Sequence, residues 1–174
     1  MQSYLPLFQI LGNQDLKARH WKQIFDSLNY TKTHFDVSFN QLLSLDIVSK
    51  YNELEEVSNR ASGEQLIEMQ LENIQKIWAN LNFSIVNYAD YKNQYRISGV
   101  DEILTNIDDN LLSLQTMLGN KFVIQIKDQV YFWERKIQLI REILDEWLIF
   151  QRFWMSLENI FNFSDIQKQL PKET

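Results

Sequence analysis

Residues 122–161 read FVIQIKDQVYFWERKIQLIREILDEWLIFQRFWMSLENIF, and this stretch decides the fold class of the 174-residue chain. It contains neither Gly nor Pro, so it predicts one helix of roughly 60 Å. A first apolar stripe repeats at alternating spacings of four and three, which is heptad-like. Its members are Ile126, Val130, Trp133, Ile137, Ile140, Leu144, Trp147, Gln151 and Trp154. A second stripe comprises Phe132, Leu139, Ile143, Phe150, Phe153, Leu157 and Ile160. Two stripes predict a helix that is buried over a wide face, or against different neighbours, as the central strut of a bundle.

The segments before this helix predict further helices and one hairpin. A helical pattern runs over residues 47–81, and its apolar stripe changes phase at Gly63, which predicts a kink or a change of packing partner there. Aromatic and β-branched residues flank a polar centre in residues 82–98, which predicts a β-hairpin that lies against helices. Ser98 is the predicted N-cap of the next helix, with Asp101 completing a capping box. Gly119 is predicted to end that helix in the left-handed conformation.

The start of the chain is less regular. Pro6 and Gly12 interrupt residues 1–15, which we interpret as a connector. Residues 16–28 predict a short helix, and residues 29–40 an irregular segment. The predicted fold is therefore mainly α: an elongated helical bundle with long helices and one small β-hairpin at about residues 82–98. The predicted domains are the connector and a helical segment over residues 16–174.

Composition and charge exclude several classes of protein. The net charge is −6 and the basic residues are interspersed, so no basic run exists to bind nucleic acid or an anionic membrane surface. No run approaches the ~18 apolar residues of a transmembrane helix. There are no cysteines, which removes disulfides and thiolate sites. These features favour a helical protein of the cytoplasm.

The sequence offers no recognisable catalytic or cofactor site. His20 and His34 are the only histidines, and neither lies in a Glu-x-x-His or His-Glu-x-x-His motif of a metal site. No glycine-rich phosphate loop occurs. Five glutamates on the 47–81 helix are interpreted as a solvated face: Glu53, Glu56, Glu64, Glu68 and Glu72. We therefore expect no catalytic residue, no metal, no cofactor and no enzymatic activity in this chain.

Five residues are candidates for docking or packing. Arg19, His20 and Trp21 form a polar–aromatic group that could be a docking patch. The favoured interpretation is that Trp21 anchors the core while Arg19 and His20 bond to nearby carbonyls. Trp133 and Trp154 share the first apolar stripe, so core packing is their default explanation, with docking to a missing partner as the alternative.

Motifs along most of the chain resemble, in order, the linker region of dynein heavy chains, the N-terminal part of the motor that lies across its AAA+ ring. The matching segments are Leu16-Lys17-Ala18-Arg19-His20-Trp21, Leu42-Leu43-Ser44-Leu45, Ala61-Ser62-Gly63-Glu64-Gln65-Leu66-Ile67-Glu68, Trp78, Gly99-Val100-Asp101-Glu102-Ile103 with Asp108-Asp109, Trp133-Glu134, Trp147, Gln151-Arg152-Phe153-Trp154, Leu157-Glu158-Asn159-Ile160-Phe161, Asp165-Ile166 and Gln169-Leu170-Pro171-Lys172-Glu173. The family often has Lys-Glu in place of Gly63-Glu64, and Ser-x-Tyr or Ser-x-Phe near Gly119–Phe122.

The resemblance implies a mechanical role. It implies a lever segment, non-catalytic in isolation, that transmits nucleotide-driven change in the AAA+ ring to the tail of a microtubule motor. The implied partner is the AAA+ ring of the same heavy chain, with microtubules bound only through the rest of the motor. The sequence of residues 165–173 resembles axonemal members of the family more than cytoplasmic ones. The implied location is therefore the cytoplasm and cytoskeleton, including the cilium or axoneme.

Two other classes of protein remain as alternatives to this interpretation. A free-standing helical scaffold or interaction module would also explain the helices and the heptad spacing. The ordered motif match and the predicted hairpin count against it. An enzyme is the third class, and the missing metal, phosphate and nucleophile motifs count against that class.

Overall fold

The computed structural model describes residues 5–30, 38, 41, 44–45, 47–88 and 94–161. The predictions for most of residues 31–40, for His34, for the hairpin tip and for the chain after residue 161 lie outside this described part.

The described residues form helices and one two-stranded antiparallel sheet, which confirms the mainly α fold class. The elements are α1 (Leu5–Leu11), α2 (Ala18–Ser27), α3 (Tyr51–Asn80), β1 (Ser84–Asn87), β2 (Tyr95–Ser98), α4 (Asp101–Leu118), a 3-10 helix (Lys121–Ile126) and α5 (Lys127–Phe161). Among these described helices, none combines the length and apolar content that crossing a lipid bilayer requires.

The chain divides into two compact units. The first contains the described residues up to Asn73 together with Asn120–Ile126. Its hydrophobic core consists of Leu7, Ile10, Ile24, Phe25, Leu28, Ile47, Leu54 and Val57. Helix α1 lies inside the stretch that we interpret as a connector, so part of that stretch contributes to the core. Pro6 is compatible with this helix because it stands in the first turn, where its missing N–H has no helical partner.

Gly63 lies within a continuous helix, so the predicted kink is not observed. Helix α3 is unbroken from Tyr51 to Asn80, and the division between the two units falls after Asn73. The ring of Phe122 packs directly on Gly63, and a Cβ added there would lie 2.7 Å from the Phe122 Cγ atom. The glycine is therefore explained by the close approach of an aromatic ring.

The second unit contains the end of α3, the hairpin, α4 and α5. Helices α4 and α5 pack against each other. The buried apolar residues of the two helices are Ile103, Ile107, Leu114 and Met117 of α4, and Val130, Ile137 and Leu144 of α5. An ion pair between Arg141 and Asp108 joins the same two helices on the solvent side.

One side chain of α5, Gln151, pairs with the backbone of the hairpin. The register sets Ser84 opposite Ser98 and Ile85 opposite Ile97, as the alternation of residues predicts. The N–H of Ile97 donates to Oε1 of Gln151 at 2.8 Å, and Nε2 of Gln151 donates to the Ile97 carbonyl at 3.1 Å. The amide of Gln151 therefore satisfies both backbone groups of Ile97, which an adjacent strand would otherwise pair.

The ends of α4 agree only in part with the prediction. The helix stops before Gly119 as predicted, but the N-cap expected at Ser98 and the left-handed conformation expected of Gly119 are wrong. Ser98 is paired with Ser84 in the hairpin, Gly99 turns the chain at a φ of 65°, and the helix begins at Asp101. Asp101 and Glu102 stand in its first turn, where carboxylates interact favourably with the helix dipole. Gly119 has a right-handed φ of −76° because the chain passes into the 3-10 helix. The final α-helix accordingly begins at Lys127.

The two apolar stripes of α5 have different environments. The first is buried or half-buried except at Trp147, which is 48% exposed. All seven members of the second stripe are between 45% and 67% exposed. The prediction that both stripes are buried is therefore wrong for the described residues. Within the second unit, α4 and the hairpin cover only one side of α5.

We expect Gly63→Ala to lower the free energy of unfolding by about 1–3 kcal/mol, because the new methyl group overlaps the Phe122 ring. Gly119→Ala is the matched control, since its Cβ would meet nothing closer than 3.5 Å. That variant should be neutral or about 0.5 kcal/mol more stable. Chemical denaturation measures both, and equal effects of the two substitutions would contradict the packing of Phe122 on Gly63.

Candidate functional site

Charged side chains join the start of α2 to the middle of α3 within the first unit. We call the five residues Lys17, Arg19, His20, Glu64 and Glu68 the charge cluster. Arg19 and His20 stand in the first turn of α2, and the two glutamates are one helical turn apart on α3. The helical spacing therefore directs both carboxylates toward the same side.

The Glu64 carboxylate is the centre of the cluster. It is 5% exposed, and its Oε2 atom accepts from Nε of Arg19 at 2.9 Å and from Nη2 of Arg19 at 2.5 Å. The same oxygen lies 3.0 Å from Nε2 of His20. Because an unpaired buried carboxylate is strongly destabilising, these donors are what allow Glu64 to lie inside the protein.

His20 connects the backbone of α2 to this carboxylate. Its side chain is 1% exposed, and its Nδ1 atom accepts the backbone N–H of Lys17 at 3.1 Å. Accepting at Nδ1 places the ring proton on Nε2, which donates to Glu64. His20 thereby performs at the third position of α2 the role that Glu or Gln has in a capping box.

Glu68 extends the cluster toward solvent. It forms ion pairs with Nζ of Lys17 and with Nη2 of Arg19, the latter at 3.1 Å. Partial burial raises the pKa of Glu68, but the hydrogen bonds and charges of Lys17 and Arg19 outweigh burial and hold the pKa below its usual value. Burial likewise lowers the pKa of Arg19, and the two glutamates reverse this effect, so the net shift is upward. Both shifts favour the charged forms.

The partners of Arg19 and His20 differ from those predicted. They are the carboxylates of Glu64 and Glu68, 44 to 49 residues away in sequence, and not nearby backbone carbonyls. Glu64 is also not part of a solvated face. Its position three residues after the buried Ala61 and three before the buried Ile67 continues the apolar stripe of α3, and this spacing is the signal that sequence reasoning missed.

The predicted tryptophans lie in three different surroundings. Trp21 is half-buried against the first unit's core and contacts Phe25, with ring centroids 5.8 Å apart. Trp133 is half-buried on α5, with Nζ of Lys136 lying 5.0 Å from its ring centroid. Trp154 is half-buried and packs edge-on against Tyr88 of the hairpin at 5.5 Å. Trp133 and Trp154 are roughly 30 Å apart along the helix, so they do not form one site.

The charge cluster joins α2 to α3 through ion pairs and hydrogen bonds. Its acidic and basic groups are paired with one another. Within the described ranges no three His, Asp or Glu side chains come together as a metal site.

We expect His20→Ala to lower the free energy of unfolding by about 2–3 kcal/mol. The substitution leaves the Lys17 N–H without its acceptor and removes one donor from the buried Glu64. Lys22→Ala, at an exposed position of the same helix, should change stability by less than about 0.5 kcal/mol. Chemical denaturation distinguishes the two variants. An unchanged free energy of unfolding for His20→Ala would contradict the stabilising role of the His20 hydrogen bonds.

We expect the contribution of Glu68 to stability to depend on pH. Because its pKa is lower in the folded chain than in the unfolded chain, the stabilisation is complete above the unfolded value of about 4.3 and is lost as the pH falls through the folded value. Glu68→Gln should therefore cost on the order of 1 kcal/mol near pH 7, and progressively less as the pH falls through the lowered pKa of Glu68. Glu142→Gln, at an exposed site of α5, is the control; a cost of Glu68→Gln that is unchanged with pH would contradict the ion pairs.

Comparison with known proteins identifies the family. The whole chain, residues 1–174, matches the family described as dynein heavy chain, N-terminal region 2. It is 37% identical over 172 residues to human dynein axonemal heavy chain 2, and 33% identical over 175 residues to human dynein axonemal heavy chain 6. It is 30% identical over 177 residues to the dynein gamma chain of the flagellar outer arm from Chlamydomonas reinhardtii.

These alignments cover nearly all of this chain and a small part of each relative. They include 98%, 99% and 97% of the chain in the order given, and 4% of each relative. The chain thus corresponds to a short segment of very long polypeptides. With a family match over its full length, the chain belongs to the dynein heavy chain N-terminal region 2 family.

Proposed function

We propose that this chain is a segment of the mechanical linker of a dynein heavy chain. In this role it transmits nucleotide-driven change in the AAA+ ring to the tail of a microtubule motor. The family match over residues 1–174 supports a place in a heavy chain. The observation that carries the lever role is the unbroken helix α5, Lys127–Phe161, which contains no Gly or Pro.

The second unit has the features of a stiff element. Helix α5 extends for roughly 50 Å and its backbone hydrogen bonds are made within the helix. Separate contacts along its length hold it to its neighbours: the Val130 and Ile137 side chains are buried, Arg141 pairs with Asp108, and Gln151 pairs with Ile97. Bending α5 would break several of these at once, because close-packed interiors resist deformation.

Catalysis belongs, in this proposal, to other parts of the heavy chain. The sequence contains no phosphate-binding loop, and the chain corresponds to 4% of the length of its relatives. The expected partner is the AAA+ ring of the same polypeptide, with microtubules bound through the rest of the motor. The relatives include an axonemal dynein heavy chain and a dynein of the flagellar outer arm, which supports a location in the cytoskeleton of a cilium or flagellum.

We expect Gln138→Pro in the intact heavy chain to uncouple ATP hydrolysis from movement. Gln138 is exposed in the interior of α5, and proline there removes a helical hydrogen bond and kinks the helix. The expected result is microtubule gliding slowed several-fold, with the ATPase rate of the purified motor largely retained. Gliding velocity and ATPase rate are measured on the same preparation.

Gln138→Ala is the matched control, because it removes the same side chain and keeps the helix. It should glide at the speed of the unmodified heavy chain. Normal gliding by Gln138→Pro would overturn the lever role, since a broken helix could then not be transmitting force. Loss of ATPase and gliding in equal proportion would also overturn it, by placing this segment in the catalytic machinery.

A further inference from the structure

The exposed stripe of α5 forms a continuous surface, which we call the outer seam. Its members are Phe132, Leu139, Ile143, Phe150, Phe153, Leu157 and Ile160. Their spacings follow the heptad alternation of four and three once positions 136 and 146 are included. The seam extends for roughly 42 Å along the helix. This regularity is that of a helix-pairing surface, since scattered exposed residues would not share one face.

The outer seam is large for a surface left in water. Aromatic side chains offer about 150–250 Å² each; three of these seven residues are phenylalanines, and all seven are about half exposed. The seam therefore presents several hundred Å² of apolar surface, on the order of the largest patches found on monomeric proteins. An area of this size is enough to contribute substantially to a specific interface.

Charges divide the outer seam along its length. Lys136 and Glu146 occupy two of its heptad positions, and Arg135 and Glu142 flank it; all four are exposed. The seam is therefore basic near its start, acidic near its middle and apolar toward its end. A matching surface needs an acidic group opposite the first pair and a basic group opposite the second.

A cavity opens beside the seam. It has a volume of about 330 Å³ and is lined by Phe83, Ile97, Ile140, Ile143, Leu144 and Trp147. Ile143 belongs both to this cavity and to the outer seam. The cavity is large enough to receive one aromatic or long aliphatic side chain from whatever covers the seam.

A second copy of this chain fits the outer seam poorly. In a parallel pair, Lys136 would face Lys136 and Glu146 would face Glu146, and both contacts are repulsive. An antiparallel pair could set Lys136 opposite Glu146. That register centres the contact near residue 141, and leaves Phe153, Leu157 and Ile160 with no residue of the partner's seam opposite them.

A helix formed by residues 162–174 is also too short to cover the seam. It would span roughly 20 Å, which is half of the seam. The relatives, in contrast, are heavy chains of which this chain covers 4%, so nearly all of such a polypeptide lies outside it.

We propose that the outer seam is the docking face for an amphipathic helix from another part of the same heavy chain. This helix runs along α5 for about eight turns, places an acidic residue against Arg135 or Lys136 and a basic residue against Glu142 or Glu146, and inserts a large apolar side chain into the cavity at Ile143. The proposal concerns packing within the heavy chain and holds whether or not the segment acts as a lever.

Cysteine labelling of the intact heavy chain tests this proposal. Ile143→Cys and Phe150→Cys place thiols in the outer seam, and Gln138→Cys places one about 120° away around the helix, at another exposed position. This chain has no cysteine of its own, so mass spectrometry of its peptides reports each introduced thiol separately. We expect the two seam thiols to react with a maleimide at least tenfold more slowly than the Gln138→Cys thiol.

Each other result would overturn the proposal. Equal labelling of all three thiols would mean that the seam is bare in the heavy chain. Protection that is lost when the single heavy chain is diluted would identify a second copy as the occupant. Protection seen only while other proteins remain bound would identify a separate partner. If the seam thiols were labelled freely while Gln138→Pro still uncoupled ATP hydrolysis from gliding, the docking proposal would fail and the proposed lever function would stand.

Discussion

A buried carboxylate imposes the strictest constraint on the first unit. Glu64 is stable inside the protein only while Arg19 and His20 donate to it, and those two residues belong to the first turn of α2. The position of α2 on α3 is therefore specified by hydrogen-bond geometry as well as by apolar contact. Non-directional packing of Ile24 and Phe25 in the core would allow α2 to slide, whereas a carboxylate shared by two fixed donors allows one register.

The second unit has a constraint of a different kind. A helix with two apolar stripes needs neighbours on two sides, and α4 with the hairpin supplies them on one side only. The described structure thus contains a complete interface and an incomplete one on the same helix. The complete interface holds Val130, Ile137 and Leu144. The outer seam has the same heptad spacing as the buried stripe. For this reason, sequence periodicity alone predicted that both stripes belong to a core.

Periodicity was enough to predict the long helices and the hairpin, because side-chain spacing reflects which face of each element is apolar. It did not predict the short helix α1 within residues 1–15. It failed where a local signal competes with a more distant contact. Ser98 has the chemistry of an N-cap but is used in strand pairing with Ser84, and Gly63 is required by the Phe122 ring rather than by a kink. Only Arg19 and His20 of the charge cluster were predicted as candidates. Their pairing with Glu64 could not be predicted, because these residues meet through tertiary structure. The exposure of the outer seam could not be predicted, because what covers a face is not encoded in its spacing.

The pairing of Gln151 with Ile97 has a consequence for association between molecules. A two-stranded sheet has two free edges, and each exposed edge is a template on which a strand of another molecule can add. The Gln151 amide occupies the outward-facing N–H and carbonyl of Ile97 on β2, so an incoming strand would first have to displace a bidentate contact. One glutamine on a helix thereby opposes the addition of a strand at that edge of the only sheet among the described residues.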